Sequence, residues 1–182
     1  ERAAFDGRQR SGREAAAEAR DLPRDRGPFH GQTPRTARER IRTVVVGNHA
    51  EMATMVAGRI AALVRANASE GRRTVLGLAT GSTPIGVYRE LIRMHREEGL
   101  SLRTVVTFNL DEYWPMPPER VQSYHRFMRE NLFDHVDVDA ANIHIPDGTT
   151  GRDDVEAACA AYEAAVAAPG GIDFQIMGIG KT

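Results

Sequence analysis

Thr80-Gly81-Ser82-Thr83-Pro84 follows the apolar run Val75 to Ala79 and leads into a segment of helical periodicity. The hydroxyls of Thr80, Ser82 and Thr83 can donate to anionic oxygens, and Gly81 lets the backbone come close to a ligand. A helix opening at Pro84 would add free amides and the positive end of its dipole, with proline suited to the first turn because its missing N–H is not needed there. Such a stretch reads as a phosphate cradle. An ordinary capped strand-to-helix turn uses the same residue types, and the motif alone leaves both readings open.

Two further stretches have the same form. The run Thr104 to Leu110 (TVVTFNL) delivers Asp111-Glu112-Tyr113. Acids at the end of a buried strand are costly unless solvated, paired or functional. One of them suits a general base if its pKa comes near working pH; a solvated loop in which Asp111 caps the next segment is the plainer alternative. The run Ile172 to Met177 ends in Gly178-Ile179-Gly180-Lys181-Thr182. A nucleotide-binding P-loop would need glycine five positions before Gly180, where Gln175 stands, so that motif is rejected. Ser123 is placed to cap a helix, with Tyr124 and His125 in its first turn. Tyr124 either reaches a ligand or packs half-buried, and His125 is ambiguous. His95, His135 and His144 are read as surface or packing residues, and the six histidines show no metal-ligand spacing. Gly77, inside its strand, is read as a packing glycine.

The elements that must position these loops alternate. Ile41 to Gly47 is a short apolar run expected to form a buried strand. Asn48 caps a helix from about His49 to Ala66, with Met52, Met55, Val56, Ile60, Leu63 and Val64 on one face. Strand 74–79, helix 84–98 stopped by Gly99, strand 103–110, helix 123–133, an irregular stretch 137–148, an Ala-rich helix 153–167 and strand 172–177 complete the order. Such alternation predicts an α/β fold, a Rossmann-like parallel sheet with helices on both faces. Ligands in such sheets sit outside the carboxyl ends of the strands, where all three loops fall.

Composition sets broad limits. The 182 residues suffice for one domain with a real core, 41% of them are apolar and 27% charged, and the net charge is −1. A balance so near neutral gives no reason to expect nucleic acid or an acidic membrane surface as partner. Cys159 is the single cysteine, so no internal disulfide or cysteine-based zinc site arises, and a cytoplasmic location is the expectation. No apolar run approaches a membrane span. Residues 1–38 are rich in Arg, Ala, Gly and Pro and are expected to be a disordered extension. A nucleic-acid-binding arm is disfavoured by the acids interspersed there. Only Lys181 is a lysine among 24 basic residues, and the scattered arginines read as genome composition.

Taken together, LGLATGSTP, VVTFNLDEY, the SYHRFM helix and FQIMGIGKT resemble the glucosamine-6-phosphate deaminase family, from about Ile41 to Thr182. The resemblance implies a hydrolase of amino-sugar catabolism that converts glucosamine 6-phosphate to fructose 6-phosphate and ammonia, with no cofactor and no metal. It implies that Thr80, Gly81, Ser82 and Thr83 hold the phosphate and that Asp111 takes the C2 proton to give an enediol-type intermediate. Glu112, Tyr124, Gly178, Gly180, Lys181 and Thr182 would line the sugar-phosphate site. Residues 39–182 would be the N-terminal portion of the domain, its C-terminal part missing. The chain stops before a Gly-His and a Phe-Asn-Glu-Pro element of the family, and Thr182 stands where many members carry an acid. A homo-oligomer is expected of the full-length protein. A 6-phosphogluconolactonase, which would favour Arg rather than Tyr113 after Asp-Glu, and a non-catalytic sugar-phosphate sensor are the alternatives.

Overall fold

The described residues from Val46 onward form one compact unit, the second of two along the chain. A computed structural model describes residues 43–178, so the extension expected over residues 1–38 lies outside the described residues. In the second unit, α1 (His49–Ser69), β1 (Thr74–Leu78), α2 (Ile85–Glu98), β2 (Val105–Asn109), α3 (Tyr124–Asn131), β3 (Ile143–His144), α4 (Val155–Ala167) and β4 (Phe174–Gln175) follow in order. The four strands form one parallel sheet in the order β3-β2-β1-β4. The two central strands are buried along their whole length, as continuous apolar runs in a doubly covered sheet should be.

The pleat sends alternate side chains to opposite faces. Leu76, Leu78 and Val105 join a core built with Ile60 and Val64 of α1, Val87, Tyr88 and Leu91 of α2 and Met128 of α3. Val75, Val106 and Phe108 point the other way and pack with Tyr162, Ala165 and Val166 of α4. Helices therefore cover both faces, as expected. In α1 the buried stripe is Ala53, Ala57, Ile60, Ala61 and Val64, which turns the expected face by about one position, with Met55 and Leu63 only half-buried. The small residues explain it. A Cβ on Gly86 of α2 would lie 3.0 Å from the Ala53 Cβ, so the two helices approach too closely for methionine or leucine.

Two expectations are corrected. Residues 43–46 form no strand, and Val44 and Val45 are 41% and 65% exposed. A run of β-branched residues makes a strand only where a sheet edge offers hydrogen-bond partners. Conversely, the stretch read as irregular holds β3, paired with β2 through Thr107–Ile143 and Phe108–His144. Two residues are too few for a periodic signal. Gly77 is a packing glycine: the Gln175 side chain occupies the space its Cβ would fill, at 1.9 Å.

Tyr162 ties the second layer to the sheet ends. Its hydroxyl, with one hydrogen to share, lies between the Asn109 carbonyl at 2.7 Å and the His144 carbonyl at 3.0 Å, and its ring meets Phe108 edge-on. Burial raises its pKa above the phenolic range. Tyr162→Phe should lower stability by about 1 kcal/mol, read as a lower urea midpoint with an unchanged m-value; an unchanged midpoint would remove this role.

Candidate active site

The carboxyl ends of β1, β2 and β4 lie on one edge because these strands run parallel and adjacent. After β1 the chain passes Ala79, half-buried Thr80 and exposed Gly81, Ser82 and Thr83. Gly81 has φ +96°, a left-handed conformation that favours glycine. Pro84 precedes the first residue of α2, and no side chain caps that helix. Its first amides are left to an outside acceptor, with the helix dipole favouring an anion. The loop is anchored from below by Tyr88, whose fully buried ring sends its hydroxyl to the Ala79 carbonyl.

Asp111 stands exposed two residues beyond β2. Glu112, expected to line the site, also joins the loop after β2 to the start of α3. Its carboxylate accepts from the Ser123 hydroxyl at 2.7 Å, from the N–H of Tyr124 at 2.9 Å and of His125 at 3.2 Å, and from the Tyr113 N–H at 2.9 Å. Both oxygens are engaged, chiefly by the start of α3. Burial opposes its charge, but the donors from Tyr124, Ser123, Tyr113 and His125 outweigh that and hold its pKa below the usual 4.5. Ser123 is the expected cap. It is fully buried and accepts from the His125 N–H at 3.1 Å while donating to Glu112.

This cap sets Tyr124 beside the base loop. The Tyr124 and Tyr113 rings lie 4.9 Å apart at 44°. The Tyr124 hydroxyl is raised in pKa first by the Tyr113 hydroxyl and then by burial, is opposed by Thr80, and senses the negative charge of Asp111. Thr80, Tyr113 and Tyr124 line one cleft, and Asp111 precedes it on the loop after β2. The cleft, of about 630 Å³, is lined by Thr80, Gly81, Tyr113, Met116, Val121, Gln122, Tyr124 and Phe127. That is ample for a small phosphorylated ligand, with aromatic faces and a few polar groups.

The segment after Tyr113 contains a cis Trp114–Pro115 bond and is pinned from behind. The Met116 N–H donates to the Gly148 carbonyl, and the Trp114 indole to the Thr150 carbonyl, both at 2.8 Å. Arg152 covers the Trp114 ring at 5.4 Å. A Cβ on Gly148 would lie 2.6 Å from both the Tyr113 and Met116 carbonyls. His125 serves this fastening, its Nε2 donating to the Pro146 carbonyl at 3.2 Å. Gly148 carried no functional reading in sequence; the Asp147-Gly148 dipeptide signals only a turn.

Gly178 arrives beside the first loop, where its Cβ would sit 4.0 Å from that of Thr83. Gly180, Lys181 and Thr182 lie outside the described residues. His144 is the packing residue expected, stacked on Phe108 at 4.5 Å with its pKa lowered by burial. Among the described residues no three His, Cys, Asp or Glu side chains converge to hold a metal ion, and no helix is long and apolar enough to cross a membrane.

A parallel α/β sheet here sets a glycine-hydroxyl loop at an uncapped helix start beside a carboxylate on the neighbouring strand end, an arrangement that favours an anionic ligand. Comparison with known proteins makes it specific: residues 47–182 match the family described as glucosamine-6-phosphate isomerases/6-phosphogluconolactonase, and the chain belongs to that family. Over 140 residues it is 49% identical to a glucosamine-6-phosphate deaminase of Halothermothrix orenii, covering 77% of this chain and 56% of that protein. A deaminase of a Thermoanaerobacter species is 42% identical over 77% of this chain and 53% of its own length. The chain spans about half the length of the curated relatives it matches. Among solved structures, a monomeric glucosamine-6-phosphate deaminase superposes with a TM-score of 0.69 at 38% identity, over 74% of this chain and 54% of that one. The 6-phosphogluconolactonase of Thermotoga maritima gives 0.58 at 27%, over 70% and 56%. The family description places the deaminase relatives with isomerases, so the expected hydrolase class is matched by the lactonase neighbours rather than by them.

Glu112→Gln should cost about 1.5–3 kcal/mol, since hydrogen bonds to a charged acceptor are lost or weakened. Because the folded pKa is depressed, this stability is present above about pH 4.5 and is lost as pH falls below it through the folded value. The gap between wild type and variant in denaturant midpoint should therefore narrow in acid. A pH-independent gap would contradict the carboxylate's role.

Proposed function

We propose that the protein of which this chain is part catalyses the deaminating isomerisation of glucosamine 6-phosphate to fructose 6-phosphate and ammonia. The observation that carries this reading is one cleft: Thr80 and Gly81, from the uncapped loop at the start of α2, line it together with Tyr113 and Tyr124, beside the strand end that carries Asp111. The deaminase relatives support it.

In this reading the phosphate sits on the amides and hydroxyls of Gly81, Ser82 and Thr83, at the start of α2. The sugar extends toward β2, with Thr80 and Tyr124 along it and Gly178 beside the phosphate loop. Asp111 removes the C2 proton of the open-chain amino sugar, giving an enediol-type intermediate that carries nitrogen at C2. The same carboxyl returns the proton to C1. Water then adds at C2 and ammonia leaves, so one water is consumed for each ammonia released. A carboxylate suits this two-way transfer, which needs a group that accepts and returns one proton in place. Glu112 takes no part in proton transfer; it holds Tyr124 and the base loop in register.

Hydrolysis of 6-phosphogluconolactone is the second reading, favoured by the lactonase neighbour and by the shared phosphate loop. It has no use for a C2 base, and Tyr113 rather than arginine follows the Asp-Glu pair.

Ammonia release from glucosamine 6-phosphate by the whole protein tests the proposal. Asp111→Asn should lower kcat by about 10²–10⁴-fold, the usual worth of a general base, with little change in KM. Lactone hydrolysis without ammonia release would transfer the assignment to the lactonase reading.

A further inference from the structure

His49, the first residue of α1, touches the phosphate loop from outside the three strand-end motifs. Its Nε2 lies 3.1 Å from the Thr83 carbonyl oxygen. An oxygen of that kind only accepts, so this nitrogen carries the hydrogen. The carbonyl belongs to the Thr83–Pro84 peptide, which has no N–H of its own, and the first turn of α2 closes on Pro84 instead, through the Tyr88 N–H at 3.0 Å. Thr83 thus presents a bare acceptor at the rim of a loop read as binding an anion.

The ring is held by its surroundings. A Cβ on Gly86 would fall 2.9 Å from His49 Cε1 and 3.3 Å from Nδ1, so the exposed imidazole rests against α2 where glycine leaves it room. The start of α1 is fixed as well. The Asn48 side chain accepts from the Glu51 N–H at 2.9 Å, while the Glu51 carboxylate receives the Gly47 N–H at 2.8 Å and the Asn48 amide at 3.0 Å. This reciprocal cap fixes where the helix begins and therefore where its first side chain stands.

We propose that His49 is a positioning residue for the phosphate, holding the Thr83 carbonyl outward so that its negative end does not face the bound anion. The inference rests on the phosphate reading of the loop. Without the ring, that carbonyl is free to turn toward the cup and repel a phosphate, whereas Asp111, on a different loop, is untouched. The effect falls on binding and not on the proton-transfer step.

The test is a titration of the whole protein with inorganic phosphate, followed by NMR, beside steady-state kinetics on glucosamine 6-phosphate. His49→Ala should weaken phosphate binding and raise KM by about 3- to 10-fold, the range expected for loss of one neutral hydrogen bond, with kcat within about twofold. His49→Gln, whose amide N–H can serve the same carbonyl, should recover most of the affinity, and ring ¹⁵N shifts of the wild type should report the Nε2–H tautomer. Equal phosphate affinity in wild type and His49→Ala, or a Gln variant as impaired as Ala, would overturn the role of His49. No phosphate binding by the wild type would overturn the loop reading and this inference with it. Phosphate binding that depends on His49, without ammonia release, would leave the inference standing and remove only the proposed reaction.

Discussion

A carboxylate that caps a helix across a loop holds this site together. Glu112 sits immediately after Asp111, yet its partners are the first amides of α3 and the buried hydroxyl of Ser123, eleven residues further on. Helix α3 has only eight residues, and a helix that short is marginal without tertiary support. Four donors converging on one charge supply that support and join two segments of opposite duty. The residue before Glu112 is the candidate base, and the helix it caps carries the aromatic wall of the cleft. Breaking the cap would free both.

The sheet does the coarser positioning. Because β1 and β2 are central and covered on both faces, their carboxyl ends cannot shift relative to each other without disturbing either the core of α1 and α2 or the layer under α4. Tyr88 fixes the end of β1 from one side, and Tyr162 fixes the ends of β2 and β3 from the other. Each is a tyrosine whose ring packs in the interior and whose hydroxyl reaches a carbonyl at a strand end. The loops that carry chemistry are thus fastened at their bases, which suits a site that must bring a carboxylate and an anion cradle to one small molecule.

The segment from Tyr113 to Met116 shows a different means of control. It has no regular structure of its own and takes its path from Gly148, Thr150 and Arg152, more than 30 residues away. Gly148 allows two carbonyls within a distance that any side chain would forbid. Irregular backbone of this kind must find its hydrogen bonds individually, and here the cleft wall inherits its shape from a turn that carries no chemistry.

The alternation of helices with the strands that became β1, β2 and β4, the parallel sheet and the carboxyl-edge location of the loops after β1 and β2 were legible in the sequence, because burial periodicity and glycine-hydroxyl turns are local signals. Asp111 and the Thr80–Thr83 loop were legible for the same reason, as polar groups set at the ends of apolar runs. The sequence could not distinguish Glu112 from Asp111: two adjacent acids look alike until it is known which one meets the amides of α3. Nor could it show that Ala53 and Ala57 form the centre of the buried stripe of α1, with Met52 packing only at its margin, that Ile143 and His144 extend the sheet, or that the ring of His49 rests on Gly86. These are contacts between residues distant in the chain, governed by how closely two surfaces approach. The sequence by itself determined which residues were able to do chemistry and on which edge they would lie; only the tertiary structure decided which of them are already satisfied by the protein and which are left for a ligand.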